Sequence, residues 1–277
     1  MAIEGWRGFK AAVWLGWQID SNWTDIFLFS LYTIIKPVFG MLTFAFMYLA
    51  ATAGGPIDPE KLAYILVGSS LFTYAGNAIW NSFFAVHEDK EHYMTIRYLN
   101  IAPSNFTLYY LGRITPSVLF SSTISLIINL AVGVFLLGMK VDPTSQTTAY
   151  LLVSIPIVAL GIIGYALMVV GVSFFTTRYL WSLVDGLTGL SFLLGGVLYP
   201  PTVLPPAIKW ISQIVPWYYW IEMLRSPIIG SGAGLTLSFI LLGAAFSAAF
   251  LVLGIWFFNW SVNRAKRDGT LDMVISW

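Results

Sequence analysis

Six stretches of this chain are long, apolar and nearly free of charge: Ile26–Ala51, Ala63–Val86, Ile114–Leu137, Ala149–Phe175, Leu183–Tyr199 and Leu235–Trp260. A helix needs roughly 20 apolar residues to cross the hydrocarbon layer of a bilayer. Inside that layer no water satisfies backbone N–H and C=O groups, so a continuous apolar run of this length must be helical. The expectation is an all-α integral membrane protein with six transmembrane helices. Leu183–Tyr199 is the shortest of the six, and it carries Asp185 near its start.

Composition agrees. Hydrophobic residues make up 58% of the chain and charged residues 10%, against about 25% charged in soluble domains. The 12 Trp and 14 Tyr suit a protein with long membrane–water boundaries, where such rings collect. A net charge of +1 without a basic run gives no sign of nucleic-acid binding. With no cysteine, disulfides and thiolate metal sites are excluded, and the redox compartment stays open. The first 25 residues lack the apolar centre and small-residue cleavage site of a signal peptide, so no cleavage is expected.

Lysine and arginine set the orientation. Arg7, Lys10, Lys90, Arg97, Arg113, Arg178, Arg264, Lys266 and Arg267 fall on one side of the expected spans. Lys61, Lys140, Lys209 and Arg225 fall on the other, and Lys36 lies within the first span. Positive residues stay cytoplasmic, which puts both termini inside, in the plasma membrane. Within 1–25, Trp6, Phe9, Val13 and Trp17 recur at helical spacing, with Arg7, Lys10 and Gln18 on another face. That pattern predicts a helix lying in the inner interface, serving as an anchor or as a mechanical contact. The short loops Gly54-Gly55-Pro56-Ile57-Asp58-Pro59 and Lys140-Val141-Asp142-Pro143 follow spans one and three.

Two connections are unusual. Between spans five and six, prolines 200, 201, 205, 206 and 216 forbid one continuous helix, yet the segment is too aromatic for a solvated loop. It reads as two short helices, Pro206–Val215 and Trp217–Ile228, each opened by a proline: an external re-entrant hairpin over 200–232. After span two comes His87-Glu88-Asp89-Lys90-Glu91-His92, then Tyr93, Met94, Ile96, Tyr98 and Leu99, ending at Pro103. Three readings stand for this cluster: a metal site from the i,i+4 pairs His87/Glu91 and Glu88/His92, a solvated helix end, or a short amphipathic helix that docks a cytosolic partner.

The other polar positions also carry two readings. Lys36, which precedes Pro37, and Asp185 would cost about 2.5–3.5 kcal/mol each at a helix centre. Either they snorkel or pack against protein, or they line a polar cavity. Tyr199, Trp217, Tyr218, Tyr219 and Trp220 form either an interface belt or a gate. Glu222 and Arg225 are i,i+3 and can pair, an interaction worth under about 1 kcal/mol if exposed. In span six, Gly243, Ala244, Ala245, Ser247, Ala248 and Ala249 permit close helix approach.

No phosphate loop Gly-x-x-x-x-Gly-Lys-Ser/Thr occurs, nor a Gly-x-Ser-x-Gly elbow or a His-Glu-x-x-His pair. Few intramembrane acids argue against an ion-driven carrier, and no filter-like run suggests a channel. Energy must then come from a separate subunit. Apart from transport, a membrane-embedded lipid-modifying enzyme and a structural or assembly protein remain readings of another class.

The order Gly195-Gly196, Tyr199-Pro200, Leu204-Pro205, Pro216-Trp217-Tyr218, Glu222, Arg225 resembles the external hairpin of ABC-2 type permeases, the membrane subunits of one class of ABC exporter. The run from Glu88 through Ala102-Pro103-Ser104 to Arg113 is similar to that family's cytosolic segment. The resemblance covers the whole chain as one domain, 1–277. It implies a coupling helix within 87–105, with Glu88, Glu91, Arg97 and Tyr98 as ATPase contacts. It implies a pathway or gate involving Lys36, Asp185, Tyr199, Trp217, Tyr218, Glu222 and Arg225, with spans one and five at a dimer interface. The partners it implies are two ATPase subunits, which would bind ATP and Mg, and a second permease copy, identical or closely related, among membrane lipids. The family's cargoes are drugs, lipids and lipid-linked polysaccharides. A weakly charged, aromatic interior favours an amphipathic one.

Overall fold

The computed structural model of the protein describes residues 2–22, 25–52, 55, 58–102, 105–139, 145–175, 180–230 and 236–271. Among these residues there is no strand. The helices are α1 (Ala2–Asn22), α2 (Ile26–Thr52), α3 (Pro59–His87), α4 (Thr95–Ile101), α5 (Phe106–Pro116), α6 (Ser122–Leu137), α7 (Ser145–Val172), α8 (Leu180–Leu194), α9 (Pro206–Ile214), α10 (Pro216–Ile229) and α11 (Leu237–Asp268). A π turn at Glu88–His92 prolongs α3, another at Ser117–Ser121 joins α5 to α6, and a 3₁₀ turn at Pro201–Val203 precedes α9.

Local chemistry sets the ends. The Asp58 carboxylate accepts from the Glu60 and Lys61 backbone N–H groups at 3.1 and 3.4 Å, with Pro59 in the first turn, a strong helix start. Asn105 does the same for α5, accepting from Thr107 N at 2.9 Å. That cap starts the third apolar helix eight residues before the expected Ile114. Hydropathy saw only its apolar part, and likewise missed the extension of α11 to Asp268. Prolines open α9 and α10 as expected, within a residue of the predicted bounds.

Among the described residues, five helices are long and apolar enough to cross a membrane: those within 33–52, 59–92, 106–137, 148–172 and 237–268. The expected fifth span differs. Helix α8 has only 15 residues, about 22 Å against a layer of about 30 Å. It stops at Leu194 rather than Tyr199 because the chain turns through Gly195 and Gly196. Gly196 has φ +68°, a backbone state open to glycine and costly with a Cβ. Arg178, just before α8, lies outside the described residues. So do Gly54, Pro56, Ile57, Lys140, Val141, Asp142, Pro143, Pro103, Ser104 and 231–232 of the predicted loops and hairpin.

Helix α3 is the centre of the molecule, buried along its length from Leu62 to Val86 and packed by α2, α6, α7 and α10. Helices α7 and α11 run in contact, and Gly164 and Gly254 let their backbones touch where any Cβ would collide. Of the small residues expected to aid packing in span six, Gly243 meets Met223 and the Ser247 hydroxyl accepts from Trp220 Nε1 at 2.9 Å, both on α10. Ala245, Ala248 and Ala249 face outward. Helix α1 lies on α5 through Ala12 and Gly16, with Gly112 opposite. Trp6 and Trp14 are left exposed. The sequence pattern had marked the aromatic face of α1 and missed this small-residue face.

Candidate functional site

At the end of α3 the charged cluster divides in two. The run His87–His92 does not belong to the short helix that follows, as one reading of the sequence had it, but ends α3 itself, with a π turn over Glu88–His92. The chain then breaks at Met94, whose φ of 52° is left-handed and uncommon for a residue with a Cβ. Only after that break does α4 begin, and it ends where Ala102 turns extended before Pro103.

Below α4 is a buried polar base. Arg113 on α5 is 2% exposed and holds Glu88 Oε2 at 2.7 Å, with Asp20 Oδ1 of α1 at 3.8 Å. Asp89 is fully buried and accepts from the Tyr109 hydroxyl at 3.1 Å and from Thr95 Oγ1 at 3.2 Å. Thr95 is the first residue of α4, so this contact ties α4 to α3 and α5 together. Lys90 is also buried. Its Nζ donates to the Ser173 carbonyl at 3.4 Å, beyond the end of α7, where a cation complements the helix dipole. Burial pushes the Asp20 carboxyl up to about 6, while Arg113 draws it down and Glu88 raises it further.

The four residues expected to face an ATPase separate by this geometry. Arg97 and Tyr98 are exposed on α4, Tyr98 at 69%, beside Ile101 at 82%. Glu88 turns inward to Arg113, and Glu91 approaches His87 Nε2 at 3.5 Å. Among the described residues no group of three His, Cys, Asp or Glu comes together as a metal site would require. Asp20, Asp89 and Tyr109 were not singled out from the sequence. A buried arginine opening an apolar span was the available signal, since such a charge demands carboxylate partners.

At the opposite end of α3, Arg225 organises the hairpin. It is 1% exposed, and its Nη2 donates to the Gly196 and Val197 carbonyls, both at 2.8 Å. Its guanidinium lies 3.6 Å from the ring centre of Tyr64 on α3. Glu222 Oε2 sits 3.5 Å from Nη1, and Glu222 Oε1 accepts from Ser226 at 2.7 Å. The expected Glu222–Arg225 pair therefore forms, but buried rather than exposed. Burial lowers the Arg225 pKa. Gly68 on α3 leaves the space: a Cβ there would strike Val197 O and the guanidinium.

The remaining expected positions lie as follows. Trp217 is 1% exposed, wedged among Phe72, Tyr165 and Trp220, inside the protomer. The Tyr199 hydroxyl donates to the Leu193 carbonyl at 3.0 Å, closing the end of α8. Tyr218 is half-buried beside Tyr219 and Phe239. Lys36 and Asp185 are both on exposed faces of α2 and α8, and among the described residues no ion pair joins them.

Comparison with protein families matches residues 7–229 to the ABC-2 type transporter family. That stretch holds both the Arg113 base and the Arg225 clasp. No curated protein matches the chain. The chain belongs to the ABC-2 type transporter family and is a membrane-embedded permease subunit of an ABC transporter.

Proposed function

We propose that the chain is the permease of an exporter that moves an amphipathic, lipid-like or drug-like substrate out of the cytoplasm or inner leaflet. Two copies would pair through the exposed faces of α2 and α8, which present Lys36 and Asp185, with both termini cytoplasmic in the plasma membrane. A separate ATPase, two per dimer, would bind ATP and Mg. The observation that carries this reading is an exposed helix, α4, standing on a buried charge network. Arg97, Tyr98 and Ile101 offer a mixed polar and aromatic surface of the kind that anchors interfaces. Thr95–Asp89–Tyr109 binds that helix to α3 and α5, and Glu88–Arg113–Asp20 joins the end of α3 and α5 to α1. A push on α4 is then delivered to the spans rather than absorbed by a loop. Glu88 acts in this scheme by holding Arg113, and the contact itself falls to α4.

The test combines binding with flux. Arg97→Glu with Tyr98→Ala should lose the ATPase in co-purification while the chain still inserts and stays monodisperse. The wild-type chain with its ATPase in proteoliposomes should move an amphipathic dye only when ATP is hydrolysed. Full partner binding by the double variant would remove α4 from the interface, and an absence of ATP-dependent flux would refute the exporter.

A further inference from the structure

On the hairpin's side of the membrane, α3, α6, α7 and α10 enclose a cavity of about 410 Å³. Leu71, Leu126, Ala131, Ile155, Leu224 and Ile228 give it an apolar wall. The side chains of Tyr74 and Thr123 line the same place. The rest of the wall is apolar, and a roomy apolar space stays dry or takes an apolar guest. Its size is that of a small-molecule site, about 300–1,000 Å³.

The cavity's edge decides what that guest is. Leu71, Leu126, Leu224 and Ile228 at the back are buried, whereas Ile127 and Phe135 at the rim are 60% and 87% exposed. Both rim residues belong to the helix that runs over 106–137 as a membrane span. Their exposed faces therefore meet lipid hydrocarbon, so the entrance opens sideways into the bilayer. A polar solute has no route to it and no partner in it. A flexible hydrocarbon tail has both.

We propose that this cavity is a lateral site for one acyl chain of a membrane phospholipid, in the leaflet at whose surface the hairpin lies. The occupant also bears on the hairpin. Leu224 and Ile228 line the cavity from α10, and Arg225, the residue that clasps α10 to the Gly196–Val197 turn, lies between them in sequence. A bound tail fills the space behind the clasped helix and holds α10 against α3. This site is separate from substrate transport and does not need the exporter reading to be correct.

The test uses a phosphatidylcholine carrying a photoactivatable diazirine on one acyl chain, reconstituted with the full chain and mapped by mass spectrometry after illumination. Cross-links should concentrate on the peptides spanning 123–135 and 224–228, several-fold above those on α2 or α11, whose lipid-facing surfaces serve as internal reference. Ala131→Phe, which fills the cavity, should reduce the cross-links at 224–228 at least threefold and leave the reference helices unchanged. Val134→Trp, which narrows the entrance, is a second variant should Ala131→Phe insert poorly. Labelling spread evenly over all lipid-facing helices, or cross-links at 224–228 that persist undiminished in whichever filled variant inserts, would overturn the assignment.

Discussion

Replacing Arg225 tests whether the hairpin is held by one side chain. In Arg225→Met the chain loses two charge-assisted hydrogen bonds at 2.8 Å, each worth about 1.5–3 kcal/mol in a favourable setting. It also loses the stacking of the guanidinium on Tyr64 at 3.6 Å, about 2 kcal/mol when desolvated. These gains are set against the cost of burying the charge, so they do not simply add. The better guide is the removal of one partner from a buried pair, about 3–5 kcal/mol, because Glu222, 12% exposed, is left facing it. Arg225→Lys should cost nearly as much, since an ammonium cannot fork to two carbonyls and stack on a ring at once. Adding Glu222→Gln to Arg225→Met should return about 0.5–3 kcal/mol, the usual range for coupled neighbours. The assay is thermal unfolding in detergent, run with limited proteolysis of the 195–216 segment. Wild-type stability in Arg225→Lys, or strict additivity of the two substitutions, would refute the clasp.

Asp20, raised to about 6 from an ordinary 3.8, takes up its proton in the folded chain before the unfolded one does. Its contribution, up to about 3 kcal/mol, is complete below pH about 4 and lost as the pH rises through about 6. Thermal unfolding between pH 4.5 and 7 should show that slope, and Asp20→Asn should flatten it; an unchanged slope would assign it elsewhere. Because the chain has no cysteine, Thr202→Cys and Asn100→Cys, both at exposed positions, report orientation cleanly. An impermeant maleimide on intact cells should label 202 and spare 100, and the reverse would invert the topology. Trp217→Ala should cost about 3–5 kcal/mol as a core truncation, read as a fall in Tm. Tyr218→Ala should cost far less and raise dye leak in proteoliposomes, and an unchanged leak would dismiss that ring as part of a gate.

What the sequence made legible follows from how local each signal is. Apolar runs placed the span helices, and prolines placed α9 and α10, because both act on their own stretch of backbone. The end of α8 at Leu194 was missed because Gly195–Gly196 sits inside an apolar run, and hydropathy does not register a change of φ. The role of Arg225 was half visible. Its spacing to Glu222 announced the pair, but its contacts to Gly196 and Tyr64 span distant parts of the chain. Only the fold brings those together. Glu88 and Arg97 looked equivalent as charged neighbours of one segment, and the turn at Met94 is what sends one inward and leaves the other exposed.

Both buried arginines anchor near the two ends of the same helix. Arg113 meets Glu88 at one end of the 59–92 run, and Arg225 lies over Tyr64 near the other. That run of 34 residues is about 50 Å long. Proline and π bulges are two of the usual sites of sharp helix kinks. Helices α2, α7 and α10 carry internal prolines at 37, 156 and 227, and the α5–α6 helix has both Pro116 and a π turn in mid-course. Helix α3 has no proline past its first turn, and its π turn lies at the very end, on the Arg113 base. Unlike the α5–α6 helix, it has neither a proline nor a π turn in mid-course. In the proposed coupling, a displacement of α4 therefore reaches the hairpin clasp along α3, while the proline-bearing helices around it take up the change of shape.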